Sequence, residues 1–574
     1  MSFTETCLQV AAQFIQTVVV IDDRGFAEPP DAVVSVAAEP DDRGYKAPAP
    51  ATGDTGGGAF ADGSADPLVD PDPVKHGLDG RGLTRRFAAM GISCTVYVPE
   101  PGESCLGGVD SPADWTSGLL ARRADIVVVD WLLDGRTSNQ ARNFIKHILE
   151  DDRKQGGRLR LLAVYTGADD LKAHRRDLQA DLQATGISLQ EDNTETVVAL
   201  SGPQLRVVFL HKDHEALPEP DYVVSEGDLP LRLIKEFARL TEGIMPCVAL
   251  AAISAVRDGT HNILAKFNRT LDPALAAHRS ILETPSDSEG YAFGLVFEEL
   301  HMRLDGARLD SFRPNAAVFE QWVDHLAAQN QQFNLPGSPG KLVAPDQVKL
   351  LLVEGTSQHE RVGKKDDGST IVGRRKVWEH LTALFSTSPA EAELANLTFA
   401  RMALLRREAF GVPDLPNGWL PTLTLGAVIA LLPPTSEDNG ASAPRYYLCL
   451  QPICDAVRLQ KARPFPLLPL DIQNASEAFS LVVRVTGGKD LRLRPKTSPY
   501  EIRMVDFAPT AGMDSVRGER DAGGLRFHAV DGSSFEWLGE MRPSAAQRVA
   551  QQLSSQFGRV GLDEFEWLRK SAGP

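Results

Sequence analysis

The chain has 574 residues, too many for one hydrophobic core, and three domains are expected. Its 77 Asp and Glu against 60 Lys and Arg leave a formal charge of −17, which argues against broad binding to nucleic acid. Six scattered cysteines (Cys7, Cys94, Cys105, Cys247, Cys449, Cys454) have neither paired metal spacing nor a disulfide framework, as fits a reducing cytoplasm. The opening MSFTETCLQ lacks the basic and apolar regions of a signal peptide, and no run approaches a membrane span.

Residues 3–15 read as an amphipathic helix with Leu8, Ala11, Ala12 and Ile15 on one face. Thr17-Val-Val-Val-Ile21 follows, a β-branched run suited to a strand buried on both faces, and it ends on Asp22 and Asp23. Residues 27–78, dense in Ala, Pro, Gly and Asp, cannot bury enough apolar area to offset their ordering entropy and read as a disordered insertion. Leu83, Phe87 and Met90 mark a helix that stops near Gly91, and Ile92–Val98 is the second strand. A short helix over Trp115–Arg123 leads to Ala124-Asp-Ile-Val-Val-Val129, which ends on Asp130. Residues 139–152 carry a stripe of Phe144, Ile145, Ile148 and Leu149. Leu159–Tyr165 is a strand ending on Thr166, and a charged helix spans Asp169–Ala184. A hairpin over Glu191–Pro203 precedes Leu205–His211, a strand ending on Lys212, and Leu229–Leu240 is the last helix of this part. Strands alternating with helices in this way predict a doubly wound parallel sheet of five strands.

In such a sheet, chemistry gathers at the carboxyl ends of the strands. Four strand ends then bring Asp22, Asp23, Asp130, Thr166 and Lys212 to one pocket. Three carboxylates suit a hard cation such as Mg²⁺, and a carboxylate can attack a phosphoryl group. These residues, in this order and each at a strand end, resemble the receiver domains of two-component response regulators, a flavodoxin-like fold. The resemblance covers about the first 240 residues. It implies that Asp130 is the phosphoacceptor and that Asp22, Asp23, Asp130 and the backbone carbonyl of Leu132 hold Mg²⁺. It further implies that Thr166 and Lys212 read the phosphorylated state, that Phe209 is a switch aromatic, and that a histidine kinase or other phosphodonor is the partner. Departures are the long Asp23–Asp130 and Thr166–Lys212 intervals, and Asp213 where the family carries a proline after the lysine. The enlarged form is similar to receivers in large bacterial proteins, some linked to anti-phage conflict systems.

Residues 243–412 have helical periodicity, with helices over Met245–Phe267, Val296–Leu304, Val318–Ala328, Val377–Phe385 and Ala390–Phe410. Leu335–Lys341 is a linker, and His359 and Glu360 fall in a charged loop. Residues 413–574 are β-rich, a small barrel or sandwich by their short Gly- and Pro-punctuated strands, and Ser544–Trp567 reads as two terminal helices carrying Val549, Leu553, Leu562, Phe565 and Leu568. Arg492, Arg494 and Lys496 form a basic strip on a strand, for which a solvated face is the simpler account. Three functions are expected, in descending order. The first is a cytoplasmic signalling protein whose phosphorylation at Asp130 acts through the C-terminal domains and their protein partner. The second is a degenerate receiver serving as a scaffold. The third is an effector enzyme with a thiol site at Cys454, beside Asp455 and Arg458, for which a structural cysteine is the simpler account; no complete catalytic set accompanies it, and a His such as His528 within hydrogen-bonding distance of Cys454 would favour it. No helix-turn-helix or other DNA-reading signature occurs, and no membrane association is expected.

Overall fold

The computed structural model describes residues 1–26, 77–99, 116–133, 137–192, 198–213, 222–282, 284–285, 287–307, 312–335, 342–355, 378–410, 415, 418–433, 443–474, 479–485, 487–496, 498–521 and 524–557. Contacts divide the chain into two compact units, Met1–His325 and Leu326–Pro574. The expected insertion lies outside the described residues except at Leu78 and its neighbour, and Leu78 is buried.

The first unit is built on one sheet. Its strands are β1 (Thr17–Ile21), β2 (Ser93–Tyr97), β3 (Ile126–Val129), β4 (Arg160–Thr166), β5 (Gln190–Glu191), β6 (Val198–Ser201), β7 (Leu205–Lys212) and β8 (Val223–Val224). Their order is β2-β1-β3-β4-β7-β6-β5, with β8 beside β7. The first five of these run parallel. The expected five-stranded parallel sheet is therefore the centre of a wider one. β8 adds a sixth parallel strand, and β6 and β5 continue antiparallel beyond β7. The reason is local: the 190–201 segment returns directly to its neighbour as a hairpin, with no crossover helix to force a parallel direction.

The β-branched runs form central strands because both their faces are covered. Val18, Val20, Ile126, Val128, Ala163 and Val208 point into one apolar cluster. Val19, Ile21, Val127, Val129, Val164 and Val207 point into the other. Phe144, Ile145, Ile148 and Leu149 of the helix Asn139–Lys154 fill the second cluster, as their spacing predicts. The first cluster takes Phe3, Cys7, Val10 and Ala11 from the N-terminal helix Phe3–Phe14, a face rotated from the expected one, on which Ala12 is exposed. That helix begins with a capping box: Glu5 N donates to Ser2 Oγ at 3.2 Å, and Ser2 N donates to Glu5 Oε2 at 2.7 Å.

The core does not stop at 242. Cys247, Leu250 and Ala251, on the helix Ile244–Lys266, and Val318, on Ala316–Ala328, belong to the same cluster as β1 and β3. Arg257 of that long helix holds Asp125, just before β3, with Nη2 2.7 Å from Oδ1. Asp125 also accepts from Thr17 Oγ1 at 3.1 Å and from Gln16 N at 2.9 Å, so one carboxylate ties two strand starts to a helix. The segment expected as a short helix over 296–304 is the longer Asp287–Ala307.

The second unit is an antiparallel sheet of ten strands: β9 (Leu405–Glu408), β10 (Ala427–Leu431), β11 (Arg445–Cys449), β12 (Arg463–Gln473), β13 (Leu481–Arg484), β14 (Asp490–Pro495), β15 (Arg503–Phe507), β16 (Glu519–Asp521), β17 (Gly524–His528) and β18 (Ser534–Met541). β15, β12, β11, β10, β18 and β17 pair in that succession. Val530 N, after β17, donates to Asp506 O in β15 at 2.9 Å, so the six strands curl round one core. Each strand gives alternate residues to it, among them Ile429, Tyr447, Phe465, Phe507, Phe527 and Trp537. The opposite face is covered by Ala545, Ala546, Val549 and Leu553 of the helix Pro543–Phe557. The second terminal helix, with Leu562, Phe565 and Leu568, lies outside the described residues, as do His359 and Glu360. Residues 405–408, expected to be helical, are the strand β9: Leu405 joins the sheet's core and the backbone pairs with β18.

Inside the first unit, Arg160 at the start of β4 is 1% exposed and forms a two-pronged bond to Asp152, Nε–Oδ2 2.8 Å and Nη2–Oδ1 2.6 Å. Replacing Asp152 by Ala leaves a buried guanidinium without its counter-charge and is expected to cost about 3–5 kcal/mol. Denaturant unfolding followed by tryptophan fluorescence measures it, and a loss below about 0.5 kcal/mol would contradict the role given to this pair.

Candidate functional site

The strand order reverses direction at β1, which lies between β2 and β3. A crevice opens at the carboxyl ends of strands at such a switch point. The ladder carries on past the strands there: Asp22 N donates to Tyr97 O at 3.2 Å, and Asp130 N donates to Ile21 O at 2.9 Å. Asp22 and Asp130 are thus fixed by backbone pairing at the same level of the sheet. Lys212 ends β7, two strands from β3, and its long side chain crosses the end of β4 to reach them. Its Nζ donates to Asp22 Oδ2 and to Asp130 Oδ2, both at 2.7 Å. The second oxygens are held as well: Arg24 N donates to Asp22 Oδ1 at 2.8 Å, and Leu132 N to Asp130 Oδ1 at 3.2 Å.

All three of these side chains are buried, Asp22 at 1%, Asp130 at 2% and Lys212 at 4% exposure. Burial pushes the Asp22 carboxyl up to about 6 against the pull of Lys212, and the nearby Asp130 adds to the rise. Asp23 is raised too, by burial first and then by Asp130. For Lys212 burial acts downward, but Asp22 and Asp130 together outweigh it and hold the ammonium above its ordinary range. The three carboxylates face the Lys212 ammonium, and the Arg24 charge also acts on Asp23. Asp22, Asp23 and Asp130 each offer an oxygen, and these atoms lie within 4.8 Å of one another. A compact, all-oxygen, anionic donor set fits a hard divalent cation such as Mg²⁺ better than a soft metal.

The remaining predicted residues fall around this cluster. Thr166, the last residue of β4, pairs with His211, is fully buried, and accepts a hydrogen bond from Ala168 N at 3.2 Å. It stands at the strand end between those of Asp130 and Lys212. Phe209 is fully buried in the core, with its ring 5.9 Å from that of Trp131 and edge-on to it. In the second unit, Cys454 is exposed on the one-turn helix Ile453–Asp455. His528 is also exposed, 3.9 Å from Glu519, and among the described residues no hydrogen bond joins it to Cys454. Two of the three residues of the basic strip are paired: Arg492 with Glu393, and Lys496 with Asp471 and Glu501 at 3.3 and 3.1 Å, while Arg494 is exposed.

Two residues near the site were not singled out by the sequence. Trp131, directly after Asp130, is 1% exposed and packs against both Phe209 and His174, the latter at 5.1 Å. It links the acid to the core, and the signal for it was its place next to a strand-end carboxylate. His211, beside Lys212, is buried in a strand whose other residues are apolar apart from Arg206 and Lys212.

Lys212→Met removes the cation that bridges two buried acids. The expected loss is about 3–5 kcal/mol at neutral pH without divalent metal. Mg²⁺ at millimolar level should restore part of it, read as a rise in Tm of the variant larger than that of the native chain. Unchanged stability in the variant would contradict the electrostatic account of the site.

Residues 14–217 match a family model described as the response receiver domain. Neither a curated protein nor a solved structure matches the chain. Among the described residues no helix is long and apolar enough to cross a membrane. The matched segment spans β1 to β7 and all the strand-end residues described above, so the chain carries in residues 14–217 a response receiver domain, a module of response-regulator signalling.

Proposed function

We propose that the chain is a response-regulator-like signalling protein in which Asp130 accepts a phosphoryl group from a histidine kinase or another phosphodonor. The observation that carries this reading is Lys212 Nζ at 2.7 Å from both Asp22 and Asp130, at the switch point of the sheet. One Asp130 carboxylate oxygen forms the new bond to phosphorus as the donor's bond to phosphorus breaks, and the donor group leaves with the electron pair. Lys212 already sits on that carboxylate, so its charge is in place to offset the added phosphoryl oxygens, and the Thr166 hydroxyl donates to another of them. Asp22, Asp23, Asp130 and the Leu132 carbonyl would hold Mg²⁺, which supplies charge neutralisation when bound. Phe209 is the switch aromatic of this reading, because it touches Trp131, the neighbour of the acceptor. Output passes to the parts of the chain beyond the receiver and to their protein partner, in the bacterial cytoplasm, with an anti-phage conflict system as the setting.

A second reading is a receiver that has lost turnover and acts as a scaffold. The burial of Asp130 at 2% exposure favours it, as does Asp213 in place of a proline. Phosphorylation needs the Lys212–Asp130 bond to open far enough to admit a donor, whereas a scaffold needs it to stay closed.

Incubation with acetyl phosphate separates the two. The signalling reading expects a Mg²⁺-dependent adduct in intact-mass measurement, lost in Asp130→Asn and in the presence of a chelator, and slowed at least ~100-fold by Lys212→Ala. No adduct on a chain shown folded by circular dichroism would establish the scaffold instead.

A further inference from the structure

The helices Phe3–Phe14 and Ile244–Lys266 are far apart in sequence and lie side by side in the first unit. Bonds tie them at successive levels. Thr4 Oγ1 donates to Glu242 Oε1 at 3.0 Å, just before the second helix begins. Ser254 Oγ donates to Gln13 O at 3.0 Å, Arg257 Nη1 donates to Phe14 O at 3.0 Å, and Gln16 Nε2 donates to Asp258 Oδ1 at 2.9 Å. The partners advance together along both segments, so the two helices run in the same direction in a fixed register.

Between the first of these ties and the others, two thiols meet. Cys7 Sγ and Cys247 Sγ lie 3.5 Å apart, although 240 residues separate them in the chain. Both are free and buried, at 1% and 0% exposure, and Val10, Ala11, Leu250 and Ala251 belong to the cluster around them. A disulfide needs the sulfurs to close to about 2.05 Å, a movement that side-chain rotation supplies when two thiols already face each other. The two are not equivalent. The Cys247 thiol is lowered from its ordinary range, chiefly by its hydrogen bond with Cys7, whereas Cys7 is raised by that bond first and by burial next. Cys247 therefore forms the thiolate, and Cys7 keeps its proton.

We propose that Cys7 and Cys247 are a peroxide-oxidised dithiol, whose disulfide fastens the helix before β1 to the helix that follows the receiver. The Cys247 sulfur attacks one oxygen of hydrogen peroxide, the O–O bond breaks, and the other oxygen leaves as hydroxide, giving a sulfenic acid. Cys7 gives up its proton and attacks that sulfur; the S–O bond breaks, and its oxygen leaves with a proton as water. Two thiols are oxidised and one peroxide is reduced to two waters. Access comes through the first helix, whose positions Thr4, Glu5, Gln9, Ala12 and Gln13 are exposed, so it is an outer layer over the pair. Local opening of this helix admits peroxide to both sulfurs, and the disulfide then forbids further opening. In a reducing compartment the pair rests as thiols and closes only under oxidant. The closed loop encloses the matched residues 14–217, and its chemistry needs neither Asp130 nor a metal.

The full chain, first reduced, is treated with millimolar hydrogen peroxide at neutral pH. Remaining thiols are then blocked with N-ethylmaleimide under denaturing conditions. Peptide mass spectrometry without reductant should find the Cys7 and Cys247 peptides joined, and dithiothreitol should part them. Amide exchange in residues 3–14 should slow at least ~10-fold in the oxidised chain and recover on reduction. Cys247→Ala, folded by circular dichroism, should give neither the joined peptides nor the slowing. Separate Cys7 and Cys247 peptides from a peroxide-treated native chain would overturn the proposal, as would a link to Cys94 or Cys105 instead. Unchanged exchange in the linked chain, or slowing that persists in Cys247→Ala, would overturn it equally.

Discussion

The site depends on one ammonium held between two buried carboxylates. Asp22 and Asp130 are fixed by backbone pairing at the ends of adjacent strands, so neither can retreat from the other. Burying two such charges is costly, and Lys212, reaching over from β7, offsets that cost together with the backbone N–H groups of Arg24 and Leu132. Asp23 adds a third carboxylate to the cluster, with Lys212 and Arg24 as its positive neighbours. Carboxylate oxygens gathered at a fixed place let a site attract a divalent cation and then, with it, a phosphoryl group. What holds the strand ends level is also what brings the carboxylate oxygens of Asp22 and Asp130 into register.

Much of this was legible in the sequence. β1, β3, β4 and β7 are continuous apolar runs with many β-branched residues, and both of their faces are covered by helices. Each run stops on a carboxylate, a hydroxyl or an amine, and the rule that ligands gather at strand carboxyl ends groups Asp22, Asp23, Asp130, Thr166 and Lys212 from the sequence alone. The structure brings the three acids and the lysine into direct company and sets Thr166 at the strand end between them.

What escaped the sequence is what long-range contacts decide. Leu405–Glu408 follows a helix without a break signal and has ordinary helical propensity, and only its pairing with β18 makes it a strand. The buried pair Arg160–Asp152 and the half-buried pair Arg257–Asp125 join residues whose charges look like solvated surface when read along the chain. The helix Ile244–Lys266 reads as the start of a separate domain, yet its first turns complete the receiver's own core. Periodicity shows which face of a helix is apolar but not what that face will meet. The expected boundary at 242/243 thus falls inside the first compact unit. The same limit applies to Asp287–Ala307, whose apolar residues on several sides gave no single period to read.

The most direct test of the account is to locate the acyl phosphate chemically. After incubation with acetyl phosphate and Mg²⁺, borohydride reduces an aspartyl phosphate to homoserine, which peptide mass spectrometry places in the sequence. The account predicts conversion at Asp130 and at neither Asp22 nor Asp23. Conversion at another carboxylate, or none at all in a folded chain, would contradict it.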